Sequence, residues 1–369
     1  MRISAVDTFM ISIPVEPENL SFGRIDRVDY VIVRVEAGKF LGYGEAATLQ
    51  GPTWSEESME TIKIIIDRYL SKIVVGADTS DYLPVSDRMN EKVKGNNFAK
   101  AAVEMAVIDA YCKELGMPVY SLIGGKFRDS IPLSWTIANN DPELDAREAS
   151  DRVRKGWRIL KIKMGSLPLE KDLERVRIIK DAVGGKASIR VDINQGWTVT
   201  QTLASLGQLA KAGVDLIEQP LPRWDMDGLA LVARKSSIPI MADESVCTVQ
   251  DALELIRRRA ASVFSYKLTK MGGLMNSRAI HSVAKAFGIP GYIGCMIETS
   301  VGTAAYLHFG ASVSNLEFGC ELFGPLRIRG DIVKDGIEYS QGEVKIPSGP
   351  GFGVEIDWKK VQKYEVNIS

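Results

Sequence analysis

The stretch "RILKIKM" (residues 158–164) decides the fold, because its residues alternate between an apolar face and a charged face. Strand geometry puts successive side chains on opposite faces, so Lys161 and Lys163 share one face and the apolar residues share the other. Lysine is a poor strand former and is almost never fully buried unless it is paired. The stretch therefore predicts a strand with one face in a core and the other turned toward partners of opposite charge.

Seven further strand candidates accompany this stretch, and segments with helical periodicity lie between them. Strands that alternate with helices predict parallel βαβ units. Eight such strands predict an α/β fold with a (β/α)8 barrel of the TIM type, in which alternate residues of each strand point into the barrel. The eight candidates are residues 131–137, 158–164, 188–194, 215–220, 238–244, 262–268, 289–294 and 315–319.

The chain of 369 residues is long enough for more than one domain, at roughly 150 residues per domain. A strand meander followed by helical segments predicts an N-terminal α+β capping domain over residues 1–125, with loops that cover the substrate. The strand–helix repeats predict the catalytic barrel over residues 126–325. The turn-rich residues 326–369 are expected to pack back on the capping domain.

Composition excludes several classes of function. The formal net charge is -1, from 46 basic and 47 acidic residues without a block of like charge, which argues against nucleic-acid and membrane partners. No apolar run is long enough to span a bilayer. The 4 cysteines are widely spaced, which is typical of reduced thiols and predicts a cytoplasmic protein. With only 2 histidines, a zinc site built on a histidine cluster is not expected.

Acidic residues end three consecutive strand candidates, at Asp192, Glu218 and Asp243. The carboxyl ends of barrel strands carry the catalytic groups of barrel enzymes, so these side chains are expected to meet there. Three carboxylates packed together cannot all stay ionised without a cation. Hard oxygen ligands without histidine or cysteine select Mg²⁺ or Mn²⁺. The sequence therefore predicts a site for one divalent cation.

Lysines flank the acidic row, with Lys161 and Lys163 before it and Lys267 after it. A lysine that is desolvated near other cations has a lowered pKa and can act as a general base. The alternative is an ion-pair network that only fills the barrel mouth. Burying six charged groups without a function is costly, which favours a catalytic site.

Together these motifs resemble the enolase superfamily, in its muconate-lactonizing-enzyme subgroup and its muconate cycloisomerases in particular. Their order and spacing match over nearly the whole chain, and "GYGEA" (42–46) and "WSEES" (54–58) extend the resemblance into the first domain. The barrel motifs are "KIK" (161–163), "VDINQGW" (191–197), "LIEQP" (216–220), "MADES" (241–245), "KLTKMGG" (267–273), "GCMIETSVGTAA" (294–305) and "CELFGPL" (320–326).

The resemblance implies a modified, enolase-like barrel and a role for each residue of the row. It implies that Asp192, Glu218 and Asp243 bind the metal, that Lys163 and Lys267 are acid/base groups on opposite faces of the substrate, that Lys161 supports Lys163, and that Asn194 pairs with Asp192. The implied chemistry moves a proton on the carbon next to a carboxylate through an enediolate, which the metal stabilises. The implied reaction is the cycloisomerisation of muconate, or a substituted muconate, to a muconolactone.

Other members of the superfamily remain as alternatives. Dipeptide epimerases of the Ala-Glu type usually carry an Asp-x-Asp pair after the eighth strand, and this chain has Glu321 and Phe323 there, unless Phe323 is only a core residue. N-acylamino-acid racemases and o-succinylbenzoate synthases are the other candidates. An inactive binding scaffold is a remote one. The histidine of the mandelate-racemase subgroup is missing from the seventh strand.

Substrate contacts beyond the row are expected from Asn194 and Glu321 and from three further places. Trp54 is predicted to lie on a loop of the first domain that covers the site, with local surface packing as the alternative. Residues 13–27 are predicted to form the second covering loop, where Arg24 and Arg27 either bind a distal carboxylate or stay solvated. Glu298 either faces the substrate or supports a helix N-terminus. The expected partners are a small carboxylate substrate and further copies of the chain in a homo-oligomer, with an octamer as one form.

Overall fold

The computed structural model describes residues 1–367 and has the α/β architecture that the sequence predicts. A three-stranded antiparallel sheet with helices comes first, and a curled parallel sheet of seven strands follows. The strands are β1 (Ile3–Leu20), β2 (Gly23–Ala37), β3 (Phe40–Thr48), β4 (Ser130–Pro132), β5 (Ser134–Ile137), β6 (Ile159–Lys163), β7 (Ser188–Asp192), β8 (Val214–Glu218), β9 (Ile240–Ala242), β10 (Val263–Tyr266), β11 (Gly291–Ile293), β12 (Tyr339–Ser340) and β13 (Glu343–Lys345).

Helices flank both sheets, and a π-helical turn (Ile66–Leu70) and a 3₁₀ turn (Thr79–Asp81) accompany those of the first region. The helices are α1 (Met59–Ile65), α2 (Ser71–Val74), α3 (Tyr82–Lys92), α4 (Asn97–Glu114), α5 (Val119–Leu122), α6 (Pro142–Arg154), α7 (Leu169–Val183), α8 (Val199–Lys211), α9 (Met226–Lys235), α10 (Val249–Arg258), α11 (Leu268–Met271), α12 (Leu274–Ala286), α13 (Ser300–Ser312), α14 (Gly324–Arg327) and α15 (Trp358–Tyr364). No helix within residues 1–367 is both long enough and apolar enough to cross a membrane.

The barrel strands run in the order β5 to β11, each parallel to the next. The prediction of an eighth strand at residues 315–319 is wrong, since the closing position is a single residue, Cys320, which bridges Leu133 and Ile293. Its amide donates to Pro132 O at 2.9 Å, and its carbonyl accepts from the backbone of β5. One residue suffices because β11 and β5 lie close enough for it to pair with both.

Close packing joins the antiparallel sheet to α4, the central helix of the first region. A Cβ atom at Gly42 of β3 would lie 2.0 Å from Ala106 O, and one at Gly44 would lie 1.9 Å from Ala102 O. Only glycine allows this approach, which explains the spacing in "GYGEA". The helix is therefore buried on most of its surface, as its run of small apolar residues requires.

Two segments of the outer regions reach across the molecule. Residues 13–27, predicted as a covering loop, belong to the β1–β2 hairpin. At the tip of this hairpin, above the barrel mouth, Ser21 Oγ donates to Asn194 O at 2.8 Å. Near the C-terminus, Trp358 packs against Phe9 of β1, with ring centroids 4.8 Å apart. The C-terminal segment thus contacts the first region, while the domain boundaries after residues 125 and 325 stay predictions.

Candidate active site

Five neighbouring strands of the barrel present a row of charged side chains at their carboxyl ends. In sheet order the row consists of Lys163 on β6, Asp192 on β7, Glu218 on β8, Asp243 directly after β9 and Lys267 directly after β10. Because the strands are parallel, their carboxyl ends meet at one edge of the barrel. The structure therefore brings these five residues together, with one lysine at each end of the row and three carboxylates between them.

The first end of the row is a compact polar group. The Lys163 ammonium donates to Asp192 Oδ2 at 2.7 Å and to Asn194 Oδ1 at 2.9 Å. Asp192 Oδ1 accepts from the Asn194 backbone amide at 3.0 Å, which holds Asn194 in a left-handed conformation with φ 42°. Non-glycine residues in this conformation are strained, and such strain is concentrated at functional sites.

Lys161 lies one layer deeper than Lys163 and is almost fully buried. Its ammonium lies 3.1 Å from Glu218 Oε2 and 3.2 Å from Asp192 Oδ2, and it also donates to Glu321. Burial lowers the pKa of Lys161, but the carboxylates of Glu218 and Asp192 outweigh burial, so the pKa lies above its ordinary value. Lys161 is thus held as a fixed positive charge beneath Lys163.

The opposite end of the row carries two lysines, of which the sequence identified only Lys267. Lys267 and Lys270 donate to the two carboxylate oxygens of Asp243, each at 2.7 Å. These ammonium groups outweigh the effect of burial on Asp243 and hold its pKa below the usual range. A Cβ at Gly294 would lie 2.6 Å from Lys267 Cε, so the glycine leaves room for this side chain.

The prediction that a flanking lysine has a lowered pKa is not met at Lys267. Burial alone lowers the pKa of Lys267, but Asp243 and Glu244 raise it above its ordinary value. The reason is that the Lys267 ammonium donates to Asp243 at 2.7 Å, so attraction to the carboxylates exceeds the effect of burial.

Glu244 is a site residue that the sequence reading missed. Its Oε1 accepts from Trp54 Nε1 and from Asn194 Nδ2, both at 3.1 Å. Burial and the neighbouring Asp243 raise the pKa of Glu244 to about 8. Trp54 comes from the first region, and the centroid of its ring lies 4.2 Å from Lys267 Nζ, at this end of the row. A cavity of about 500 Å³, lined in part by Trp54, Glu244 and Lys270, adjoins this end of the row.

The loop after β11 brings Glu298 into the same mouth, and residues from outside the barrel hold it. Glu298 is buried, and burial raises its pKa to about 7. Ile297 has φ 58°, a strained conformation for a β-branched residue, and its carbonyl accepts from Tyr30 of β2 at 2.8 Å. Glu45 of β3 accepts from the Thr299 amide at 2.9 Å and from the Gly302 amide, which caps α13.

We expect the free energy of unfolding to fall as the pH rises from 4.5 to about 8, and to fall less in the variant Glu45→Gln. Burial raises the pKa of Glu45 from 4.5 to about 8, so the unfolded chain loses this proton at a lower pH than the folded chain. The stabilising contribution is complete below 4.5 and is lost as the pH approaches about 8. The loss is at most roughly 1.4 kcal/mol per pH unit.

Unfolding in urea at several pH values across this interval measures the effect. The surface variant Glu174→Gln is the matched control, and its pH dependence should equal that of the parent chain. If the Glu45 variant also kept the parent slope, the ionisation of Glu45 would not be linked to folding.

For three residues the sequence leaves alternatives open, and the structure bears on each of them. Phe323 is buried and packs against Trp135, with ring centroids 5.5 Å apart, as the core-packing alternative states. Arg24 and Arg27 are exposed on β2. Arg27 donates to Ser12 at 2.7 Å, so the structure favours the surface alternative for this arginine.

Asp192, Glu218 and Asp243 offer a divalent cation only hard carboxylate oxygens. Among residues 1–367, no three acidic, histidine or cysteine side chains surround a common point at ligand distances, and each of the three carboxylates of the row pairs with a lysine ammonium group. However, Glu218 Oε1 is buried without a hydrogen-bond partner, and burial together with Asp192 raises the pKa of Glu218. A buried carboxylate oxygen without a donor is a position where a cation is stabilising. The residues therefore fit a hard divalent ion.

Both regions of the chain match known families. Residues 5–124 match the N-terminal domain of the mandelate racemase / muconate lactonizing enzyme family. Residues 145–360 match the family described as enolase C-terminal domain-like.

Relatives and solved structures cover the whole chain. The chloromuconate cycloisomerase CbnB of Cupriavidus necator is 40% identical over 366 residues, which cover 99% of each chain. Muconate cycloisomerase 1 of Rhodococcus opacus is 38% identical over 370 residues, covering 100% of this chain and 99% of the relative. The muconate lactonizing enzyme from Pseudomonas fluorescens complexed with muconolactone superimposes with a TM-score of 0.97 at 35% identity, over 99% of both chains. The 2-chloromuconate cycloisomerase from Rhodococcus opacus 1CP gives 0.97 at 37% identity over 100% of both.

Proposed function

The chain belongs to the mandelate racemase and muconate lactonizing enzyme family of the enolase superfamily, and on this premise we propose that it is an isomerase that closes muconate, or a substituted muconate, to a muconolactone. The observation that carries the proposal is the row itself, in which three carboxylates lie between Lys163 and Lys267 on consecutive strands. Such a row can hold a cation beside a substrate carboxylate and place a proton donor next to the carbon that changes.

The family depends on a divalent cation, and the proposed ligands are Asp192, Glu218 and Asp243. We propose Mg²⁺ or Mn²⁺, because all three ligands are hard carboxylate oxygens. When bound, the cation supplies positive charge next to the substrate carboxylate, which favours the build-up of negative charge there.

Lys163 is the proposed proton donor. The distal carboxylate of the substrate forms a carbon–oxygen bond with the diene, and the electron pair of the attacked double bond moves toward the proximal carboxylate. Lys163 then gives its proton to the carbon next to that carboxylate, which completes the lactone. Asn194 and Asp192 orient its ammonium group, and Lys161 adds a fixed positive charge beneath it.

The balance of charge in the mouth fits a substrate with two carboxylates. Four lysines of the mouth face four carboxylates, namely Lys161, Lys163, Lys267 and Lys270 against Asp192, Glu218, Asp243 and Glu321. Two further carboxyl groups, Glu244 and Glu298, have pKa values that burial raises to about 8 and about 7, which favours their neutral forms. A divalent cation adds two positive charges, which a dianion such as muconate neutralises. Burying the balanced set is less costly than burying an excess of either sign.

An epimerase that acts on a dipeptide or an N-acylamino acid is the second candidate, because Lys163 and Lys267 could each serve one face of a substrate. Two features disfavour it. The chain has Phe323, a core residue packed against Trp135, at the sequence position of the second carboxylate, and Glu321 already accepts from Lys161 and from Tyr292 at 2.7 Å. The site therefore lacks a free carboxylate at this position for a substrate ammonium.

The test is incubation with cis,cis-muconate in deuterated buffer containing Mg²⁺ or Mn²⁺, followed by NMR. We expect a lactone that carries one deuterium on the carbon next to its free carboxylate. An Ala-Glu dipeptide, an N-acylamino acid and the precursor of o-succinylbenzoate are run in parallel. Epimerisation or dehydration of one of these, without lactone from muconate or chloromuconate, would overturn the proposal.

We also propose that the protein acts in the cytoplasm, in line with its widely spaced free cysteines, and that it forms a homo-oligomer. Size-exclusion chromatography with light scattering measures the number of subunits directly.

A further inference from the structure

Behind strand β6, on the side away from the barrel interior, lies a group of three charged side chains that are completely buried. Arg175 and Asp172 belong to α7 and Asp145 belongs to α6, and each side chain has 0% exposure. None of them belongs to the row of the active site. Burying an ion pair is no more stabilising than burying apolar groups of the same size, so stability alone gives no reason for this arrangement.

The group forms hydrogen bonds with the backbone at the end of β6, the strand that carries Lys163. Arg175 Nη1 donates to the backbone carbonyl of Lys163 at 3.0 Å and to Asp172 at 2.8 Å. The other oxygen of Asp172 accepts from the backbone amide of Gly165 at 2.7 Å. Arg175 Nε donates to Asp145 at 2.7 Å, which fixes the guanidinium from a second helix. Two backbone groups on either side of one residue are thus held by one ion pair.

Sheet geometry explains why these backbone groups need partners. The amide of Met164 donates to Asp192 O at 2.8 Å, so it faces β7. Successive residues of a strand turn their backbone groups to opposite sides, so Lys163 and Gly165 turn theirs toward β5. Strand β5 ends at Ile137, whose partner on β6 is Ile162. The end of β6 therefore extends past its neighbour, and Arg175 and Asp172 take the place of the missing strand.

We propose that Arg175, held by Asp145 and Asp172, is a positioning residue that fixes the backbone from which Lys163 projects and so aims its ammonium group at the reacting carbon. The inference rests on the proposed function, in which Lys163 delivers the proton. A displacement of about 1 Å at a reacting group costs on the order of a hundredfold in rate. An ion pair with two helices behind it holds the strand end more rigidly than water would.

The test compares Arg175→Met with Arg128→Met. Arg128 is the matched control because it also donates to backbone carbonyls, those of Gly310, Val313 and Ser314, and none of these belongs to β6. Both variants should unfold at lower temperature. Only Arg175→Met should lower kcat, by about ten- to a hundredfold with little change in KM, and raise the solvent deuterium isotope effect, because proton delivery becomes slower.

Two conservative variants keep the test decisive if Arg175→Met folds poorly. Arg175→Lys should recover part of kcat, since one donor remains, and Asp172→Asn should show a smaller loss than Arg175→Met. Unchanged kcat in Arg175→Met, or an equal loss of kcat in Arg128→Met, would overturn the inference.

A readout without turnover separates this inference from the proposed function. Hydrogen exchange of the backbone amide of Gly165 should accelerate in Arg175→Met and not in Arg128→Met. If the parent chain makes no lactone but the exchange difference is found, the proposed function is wrong and the role of Arg175 in fixing the end of β6 stands. If exchange at Gly165 is the same in both variants, Arg175 does not fix this backbone, whatever the substrate is.

Discussion

Replacing Lys163 by alanine should slow lactone formation by about 10²- to 10⁴-fold, the range over which a positioned acid or base contributes to rate. Lys163 ends the row, only 11% of its side chain is exposed, and Asp192 and Asn194 orient its ammonium group at hydrogen-bond distance. Alanine removes the proton donor but none of the proposed metal ligands. Metal binding should therefore survive while proton transfer is lost.

Two measurements separate these effects. Lactone incubated in deuterated buffer should exchange its proton with the parent enzyme and not with Lys163→Ala. The metal-induced rise in unfolding temperature should be similar in both. Lys171→Ala is the control, because Lys171 is exposed on α7 and pairs only with Glu174. Turnover that survives in Lys163→Ala would show that another group delivers the proton.

Replacing Glu218 by glutamine should lower kcat/KM roughly a thousandfold, which corresponds to about 4 kcal/mol of lost stabilisation in the transition state. The substitution keeps the size of the side chain but removes the charge from the central position of the row. Burial raises the pKa of Glu218 and one of its oxygens has no hydrogen-bond partner, so the charge is unfavourable without a cation.

The two effects of this substitution have opposite signs, which makes the prediction specific. Without added metal, Glu218→Gln should unfold at the same temperature as the parent or higher. With Mg²⁺ or Mn²⁺, the parent should gain about 2.7 kcal/mol at a hundredfold excess over the dissociation constant, and the variant much less. Glu174→Gln is the surface control. An equal gain in Glu218→Gln would remove this residue from the ligand set.

Much of the barrel could be predicted from the sequence. The barrel strands are apolar runs buried on both faces, and the charged residues within these runs mark the positions that point into the barrel. This pattern predicts the inward positions of Lys161, Asp192 and Glu218, and in the structure the Lys161 ammonium lies 3.2 Å from Asp192 Oδ2 and 3.1 Å from Glu218 Oε2. The prediction of the eighth strand is wrong because it rests on composition alone. "NLEFG" (315–319) has the composition of a strand, but the pattern cannot show that Cys320 alone closes the barrel.

The residues that were missed lie where the alternation of a strand no longer applies. Strand β9 ends at Ala242, so Asp243 and Glu244 do not have to point to opposite faces as successive residues of a strand do. The Glu244 side chain lies at the barrel mouth, where it accepts from Asn194. Lys270 lies three residues after Lys267 on the short helix α11, and this spacing puts both on one side of the helix. The spacing of three between Asp172 and Arg175 was an equally readable signal, but only the structure shows that the pair is buried.

Tyr30 and Glu45, which lie outside the barrel, bind the strained loop after β11. Exchange of the first region between relatives therefore changes the contacts of this loop. The conformation around Glu298 is set by whichever chain supplies β2 and β3. In a chimera that joins this barrel to the first region of a relative, the conformation of this loop follows the donor of the antiparallel sheet and not the donor of the barrel. The unit that transfers intact between chains is thus the barrel together with the two strands that anchor its loop.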